Sequence, residues 1–191
     1  MPQNTPPDIG QKIKHLRSSK NLTLDQLANM SGVSKSMLSQ IERNKTNPTV
    51  GTLWSLTGAL GMEIGELLGS KPKTSKKPPS IATMKAHETP EIQSADGKCI
   101  LRILGPLELV SHIEWYDIRI EKGGILSSEP HVLGTREHLT VLEGEINIYT
   151  ADEDKILSKG DTARYNADVQ HNIKNTGKSE AHIILIVNSP K

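Results

Sequence analysis

The sequence predicts an α+β chain of two domains, an all-α head followed by an all-β domain. Three observations predict it. Apolar residues recur every three to four positions through residues 8–68, as in Ile9, Ile13 and Leu16, then Leu24, Leu27 and Met30, which is the period of helices with one buried face. From residue 98 short β-prone runs alternate with glycine turns. Between these regions the run GSKPKTSKKPPS at 69–80 offers nothing that anchors a core and reads as a linker. The chain therefore divides into a head at 8–68, a linker at 69–80 and a second domain at 81–191.

Composition narrows the class. Of 191 residues, 35% are hydrophobic and 24% charged, so the chain is expected to form packed domains; aromatics are 3%, with no Phe, so the cores must be built from Leu, Ile, Val and Met. A single cysteine, Cys99, excludes a disulfide framework within the chain. The opening Met1-Pro2-Gln3-Asn4-Thr5-Pro6-Pro7 lacks the apolar run of a signal peptide, and no run is long enough to span a membrane. A cytoplasmic protein without membrane contact is expected. The net charge of +1 hides an asymmetry: residues 1–80 hold 11 Lys/Arg against 5 Asp/Glu, and residues 81–191 hold 12 against 17. A basic first part suits a polyanionic partner. Lys71, Lys73, Lys76 and Lys77 lie in the linker, however, and read equally well as a solvated spacer.

In the head, Thr23 precedes an apolar-periodic segment and Gln26 follows three residues later, a capping-box pattern that starts a helix. That helix, Leu24 to Met30, ends near Gly32, the residue type that enters a left-handed turn without strain. Ser34 then caps a second helix, Lys35 to Arg43. Leu27, Ala28, Val33, Leu38 and Ile41 form the shared apolar wedge. Two short helices joined by a glycine-bearing turn make a helix-turn-helix. The run LTLDQLANMSGVSKSMLSQIERNK at 22–45, with Thr46-Asn47-Pro48-Thr49 and the helix Val50–Leu60 after it, resembles the XRE (lambda-repressor-like) helix-turn-helix family over roughly residues 9–68. The resemblance implies a five-helix domain, and an Arg17–Glu42 pair that links the first helix to the motif.

Such a motif lays its second helix in the major groove of double-stranded DNA. The polar positions Ser34, Lys35, Ser36, Ser39, Gln40 and Arg43 are the candidate contacts. Gln40 has the geometry to pair with adenine and Lys35 to donate to guanine. Arg43, Lys45, Thr46 and Asn47, at or past the helix end, are placed for phosphates, which set position rather than sequence. One head offers few base contacts, so a homodimer on two half-sites is expected.

The second domain shows short strands at Ile100–Leu104, Glu114–Ile120, Leu139–Leu142, Glu145–Tyr149, Asp161–Tyr165 and Ile183–Val187, with glycine turns at 121–124, 143–144 and 159–161. Many short strands predict a barrel or sandwich. Two stretches, GILSSEPHVLGTREHLTVLEG at 124–144 and GDTARYNADVQHNIKN at 160–175, resemble the two signature motifs of the cupin family over roughly residues 98–188, which implies a double-stranded β-helix barrel. His131, Glu137 and Gly144 keep the spacing of the first motif, but Leu133 stands where a second His is expected, and the run from Gly124 to His131 is one residue long. Gly160, His171 and Asn175 keep the second, with Asn166 and Asp168 in place of its Pro and Gly.

His131, Glu137 and His171 thus offer two imidazoles and a carboxylate, a set that suits one divalent metal ion: zinc, or iron or manganese. The other reading makes them polar lining of a metal-free pocket. His138, beside Glu137, faces outward; His112 and His182 read as structural, and the facing of Arg102, Arg136 and Tyr165 is left open. Three functions follow. The first is a DNA-binding transcriptional regulator whose cupin domain senses an unidentified small-molecule effector, through a metal. The second is a constitutive DNA-binding protein with the cupin as a ligand-free dimerisation module. The third is a cupin enzyme with an appended head; no nucleophile–base pair or phosphate loop in register supports it, and the chain is expected not to be an enzyme.

Overall fold

The computed structural model describes residues 8–190, apart from 63, 69–80, 95, 111 and 152. The expected linker lies outside the described residues.

Five helices form the head: α1 (Ile9–Ser19), α2 (Leu24–Ser31), α3 (Lys35–Glu42), α4 (Val50–Leu60) and α5 (Ile64–Leu67). Their starts are chemically marked. Asp8, Thr23, Ser34 and Thr49 each accept a hydrogen bond from the backbone N–H three residues on, so orphan donors of each first turn are satisfied. At α2 the capping box is complete: Thr23 accepts from the Gln26 N–H at 3.1 Å, and the Gln26 side chain accepts from the Thr23 N–H at 2.8 Å. Gly32 closes α2 in the left-handed region at φ 72° and is free of neighbours there. Leu27, Leu38 and Ile41 are buried between α2 and α3 as expected, with Ile13 of α1 and Leu53, Leu56 and Leu60 of α4 completing the core. Met30, counted on the apolar face of α2, is instead 56% exposed.

Among the described residues ten strands form two antiparallel sheets. The six-stranded sheet runs β1 (Glu91–Gln93), β2 (Cys99–Ile103), β3 (Ile113–Ile120), β10 (Ala181–Asn188), β5 (Arg136–Glu143) and β8 (Thr162–Asn166). The four-stranded sheet runs β4 (Ile125–Ser128), β9 (His171–Asn175), β6 (Glu145–Tyr149) and β7 (Asp154–Ser158). β3 and β10 alternate buried and half-exposed positions along most of their length, with buried Ile118, Ile120, Ile183 and Leu185 on the shared inner face. On β5 the same alternation places Glu137, Leu139 and Val141 inward, and His138 is half-buried on the other face.

The remaining candidates left open by sequence take structural roles or stay on the surface. His182 pairs with Asp117 at 2.9 Å. Arg102 reaches Glu91 at 3.3 Å and the Ala86 carbonyl at 3.0 Å, and Arg136 is exposed. Asn175, the last motif residue, donates to the Ile120 and Ser179 carbonyls at 2.8 Å each and accepts from the Gly177 N–H, which pins the end of β9 to the other sheet.

Candidate nucleic-acid interface and metal centre

The Ser34 cap directs the start of α3 outward: Ser34, Lys35 and Ser36 are exposed, Ser39 and Gln40 half-buried and Arg43 exposed, while Leu38, Ile41 and Glu42 turn inward. This gives α3 one polar edge. Lys35 meets Asp25 of α2 at 2.8 Å, but both side chains are about three-fifths exposed, at 59% and 64%, so water screens the pair and Lys35 leaves it at small cost.

Glu42 faces away from that edge. It is 5% exposed and takes a two-pronged contact from Arg17, with Nε at 2.6 Å and the second nitrogen at 2.9 Å. Arg17 also donates to the Leu22 carbonyl at 2.6 Å. The bidentate geometry fixes α1 and α3 to one another, the role the family resemblance implied. Gly10 lets α1 approach: a Cβ there would stand 2.3 Å from the Ile41 carbonyl oxygen.

The residues expected at phosphates are placed less openly. Lys45 is exposed, and Thr46 and Asn47 are half-buried. Thr46 and Asn47 line two clefts of about 160 and 130 Å³ between the head and the β-domain, with Ser94 on the opposite wall of both and Asp96 on that of the smaller.

Inside the β-domain, His131, Glu137 and His171 come together, and one ligand atom from each lies within 4.8 Å of the other two. Backbone bonds bring them there: the His131 N–H donates to the Ala167 carbonyl and the Ala167 N–H to the Thr135 carbonyl, both at 2.9 Å. The loop before β5 is thereby zipped to the loop before β9. Nε2 of His131 and Nε2 of His171 lie 3.1 and 3.3 Å from the same oxygen, Oε1 of Glu137. The other oxygen accepts from the Tyr165 hydroxyl at 2.5 Å. His171 Nδ1–H donates to the Val169 carbonyl at 2.8 Å, which orients the ring and turns Nε2 into the cluster.

The cluster is nearly dry, with Glu137 2% and His171 1% exposed. Burial works against the Glu137 charge, but hydrogen bonds from His131 and His171 outweigh it and bring the carboxyl down to about 2. Burial lowers His171, yet its bond to Glu137 prevails and its proton is held more tightly than usual. Burial and the neighbouring Glu137 charge push the Tyr165 phenol well above its ordinary value.

These donor types suit a small divalent cation. Ligand bonds of about 2.1 Å put neighbouring donor atoms roughly 3.0–3.4 Å apart in tetrahedral or octahedral geometry; the two N–O separations fall in that interval, and all three atoms lie within 4.8 Å of one another. Leu133, at the position of the missing second His, is 84% exposed and contributes nothing. Its loop is turned out at Gly134, with φ 85° and an N–H that donates to Asp168 at 2.8 Å. Tyr165 is the group whose place the sequence left open. Its signal is register: it sits directly opposite Glu137 in the β5–β8 ladder.

Residues 13–67 match the family described as Helix-turn-helix, and residues 116–187 the family described as Cupin domain. The chain is 31% identical over 183 residues to the HTH-type transcriptional regulator SutR of Escherichia coli (strain K12), covering 96% of each chain. Among solved structures it is similar to an HTH_3 family transcriptional regulator from Vibrio cholerae, at 28% identity and a TM-score of 0.59 over 96% of both chains. FeII HppE is 18% identical with a TM-score of 0.50, covering 94% of this chain and 97% of the other; at that identity the likeness is one of fold. No helix among the described residues is long and apolar enough to cross a membrane.

Proposed function

The chain belongs to the family of HTH-type transcriptional regulators with a cupin domain, and on that premise we propose a cytoplasmic homodimer that binds operator DNA through α3 and senses a small molecule in the cupin domain through a metal. The observation that carries the DNA half is the polar edge of α3, with Ser34, Lys35 and Ser36 in solvent and Ser39 and Gln40 beside them. Arg43, Lys45, Thr46 and Asn47 take phosphates. Two copies are needed to read two half-sites one helical turn apart. Selection of bound sequences from random duplex DNA tests this: a two-fold-symmetric site is expected, and binding that is equal on all sequences overturns it.

The sensing half rests on the convergence of His131, Glu137 and His171. They would hold zinc, iron or manganese, and Tyr165 would steady the second oxygen of Glu137. A bound ion supplies a Lewis-acidic position that an oxygen or nitrogen of an effector can occupy. Elemental analysis of untagged protein purified without chelator is the test. Near one ion per chain, lost when the three residues are changed to Ala, is expected. No ion after reconstitution overturns the metal reading.

One observation favours a second reading of the cluster. Both oxygens of Glu137 and Nδ1 of His171 already have partners within the chain, so a metal-free polar core that serves dimerisation alone is also self-consistent. Operator binding that never responds to metal or metabolite would select it.

A further inference from the structure

The first turn of α4 is satisfied by the other domain. Four N–H groups at a helix start lack partners within the helix. Here the Thr49 side chain takes the Thr52 N–H at 3.1 Å. The Val50 N–H donates to the Tyr116 hydroxyl at 2.9 Å, 66 residues away in β3. The Tyr116 hydroxyl in turn donates to Glu114, whose carboxylate lies against the first turn of α4. Val50 is fully buried, and Glu114 and Tyr116 are 5% and 2% exposed. The fit is close: a Cβ on Gly51 would stand 3.0 Å from Glu114 Oε1 and 3.3 Å from the Val110 carbonyl.

Glu114 and Tyr116 are on the inner face of the six-stranded sheet, in phase with Ile118 and Ile120. Glu114 lies opposite Val187 of β10, Val187 lies opposite Glu137 of β5, and Glu137 opposite Tyr165 of β8. One transverse row therefore carries both the helix seat and the candidate metal centre, two strand spacings apart, roughly 10 Å. His131 bonds to Glu137 at 3.1 Å, at the cluster end of this row.

We infer that the first turn of α4 is a plug in the mouth of the β-domain, and that Glu114 and Tyr116 are the socket through which the His131–Glu137–His171 cluster sets the position of the DNA-binding head. This rests on the sensing reading and gives it a route. His131 is held by Glu137 in the state described. Anything that draws His131 or Glu137 elsewhere shifts the row that Glu114 shares with Glu137, and with it the Tyr116 hydroxyl that takes the Val50 N–H. α4 packs on α1, α2 and α5, so a shift of its first turn carries the head with it. Glu114 and Tyr116 are positioning residues; they touch neither DNA nor metal.

The test is residue-resolved amide hydrogen exchange on the full chain. Gly51→Val, which wedges the seat and leaves the cluster intact, is expected to speed exchange at Val50 by about tenfold or more, the loss of one buried hydrogen bond. Unchanged exchange means that there is no seat. Glu137→Gln and His131→Asn, both remote from α4, are each expected to alter exchange at Val50 and Gly51 at least threefold, with Leu38 in the head unchanged. If both variants fold and neither moves those two amides, the coupling is overturned, whether or not metal binds. Should Glu137→Gln fail to fold, His131→Asn decides. Zinc added to the wild-type chain separates the two claims. Uptake with no change at Val50 sinks the coupling and spares the sensor. No uptake sinks the metal reading, and the coupling is then judged on the two variants.

Discussion

On the head, Ser34, Lys35 and Ser36 stand in solvent along one edge of α3; in the β-domain, Glu137 and His171 are 2% and 1% exposed. The two sites are built by different means. The edge of α3 is placed by a Ser34 cap, a glycine turn and the Arg17–Glu42 clasp beneath it, and apart from Ser34 the candidate contact residues bear little of the fold. The cluster is placed by strand register, and its residues are at once site and core. An exposed reading surface can vary at small cost in stability, whereas a buried polar cluster cannot lose one member without leaving another uncompensated.

The sharpest way to break this contrast is to truncate one residue of each. Glu137→Ala strips His131, His171 and Tyr165 of a shared partner in a dry interior and is expected to cost about 3 kcal/mol in urea unfolding. Gln40→Ala is expected to change stability by less than about 0.5 kcal/mol. Similar losses would show that the two sites are built alike. On DNA the roles reverse: Gln40→Ala should weaken operator binding by about 1–3 kcal/mol in a titration at fixed salt and relax the preference at one base. A uniform loss on all sequences would move Gln40 to the phosphates. Thr23→Ala, which opens the capping box without touching either site, should lower the melting stability of the head by about 1 kcal/mol. The smallest effect tests the departed motif position. Leu133→His restores a histidine by sequence, yet position 133 points outward, so zinc affinity measured by competition should stay within about twofold. A large gain would show that the loop at Gly134 turns inward.

What could be read from the sequence follows the same division. The helix starts were legible because capping is local: Thr23 with Gln26, and Ser34, announce themselves within four residues. The grouping of His131, Glu137 and His171 was legible because spacing in two motifs survives even where Leu133, Asn166 and Asp168 depart from the pattern. Tyr165 was not, because its partner is set by which strand lies beside β5. Nor was the seat of α4. Glu114 alternates in phase with Tyr116, Ile118 and Ile120, which marks an acid on an inner face, but nothing local says that the Tyr116 hydroxyl beside it takes the N–H of a helix start 66 residues earlier. The four strands not marked in advance, β1, β4, β7 and β9, are short, at three to five residues, and β7 is exposed along nearly all its length, so no period-two pattern shows there.

The place of β10 has a consequence for how this molecule comes into being. The eight residues from Ala181 to Asn188 pair with β3 on one side and β5 on the other, and both of those strands precede them in the chain. This strand at the centre of the larger sheet is therefore synthesised after both of its neighbours. A nascent chain can complete its helical head early, while β3 and β5 wait with open edges for the strand between them. Until it arrives, those edges are templates for any passing strand, and the row from Glu114 to Tyr165 does not exist. Ribosomes that stall before residue 181 would release a head beside an unclosed sheet, so quality control of unfinished chains matters more here than in a protein whose neighbouring strands pair as they are made.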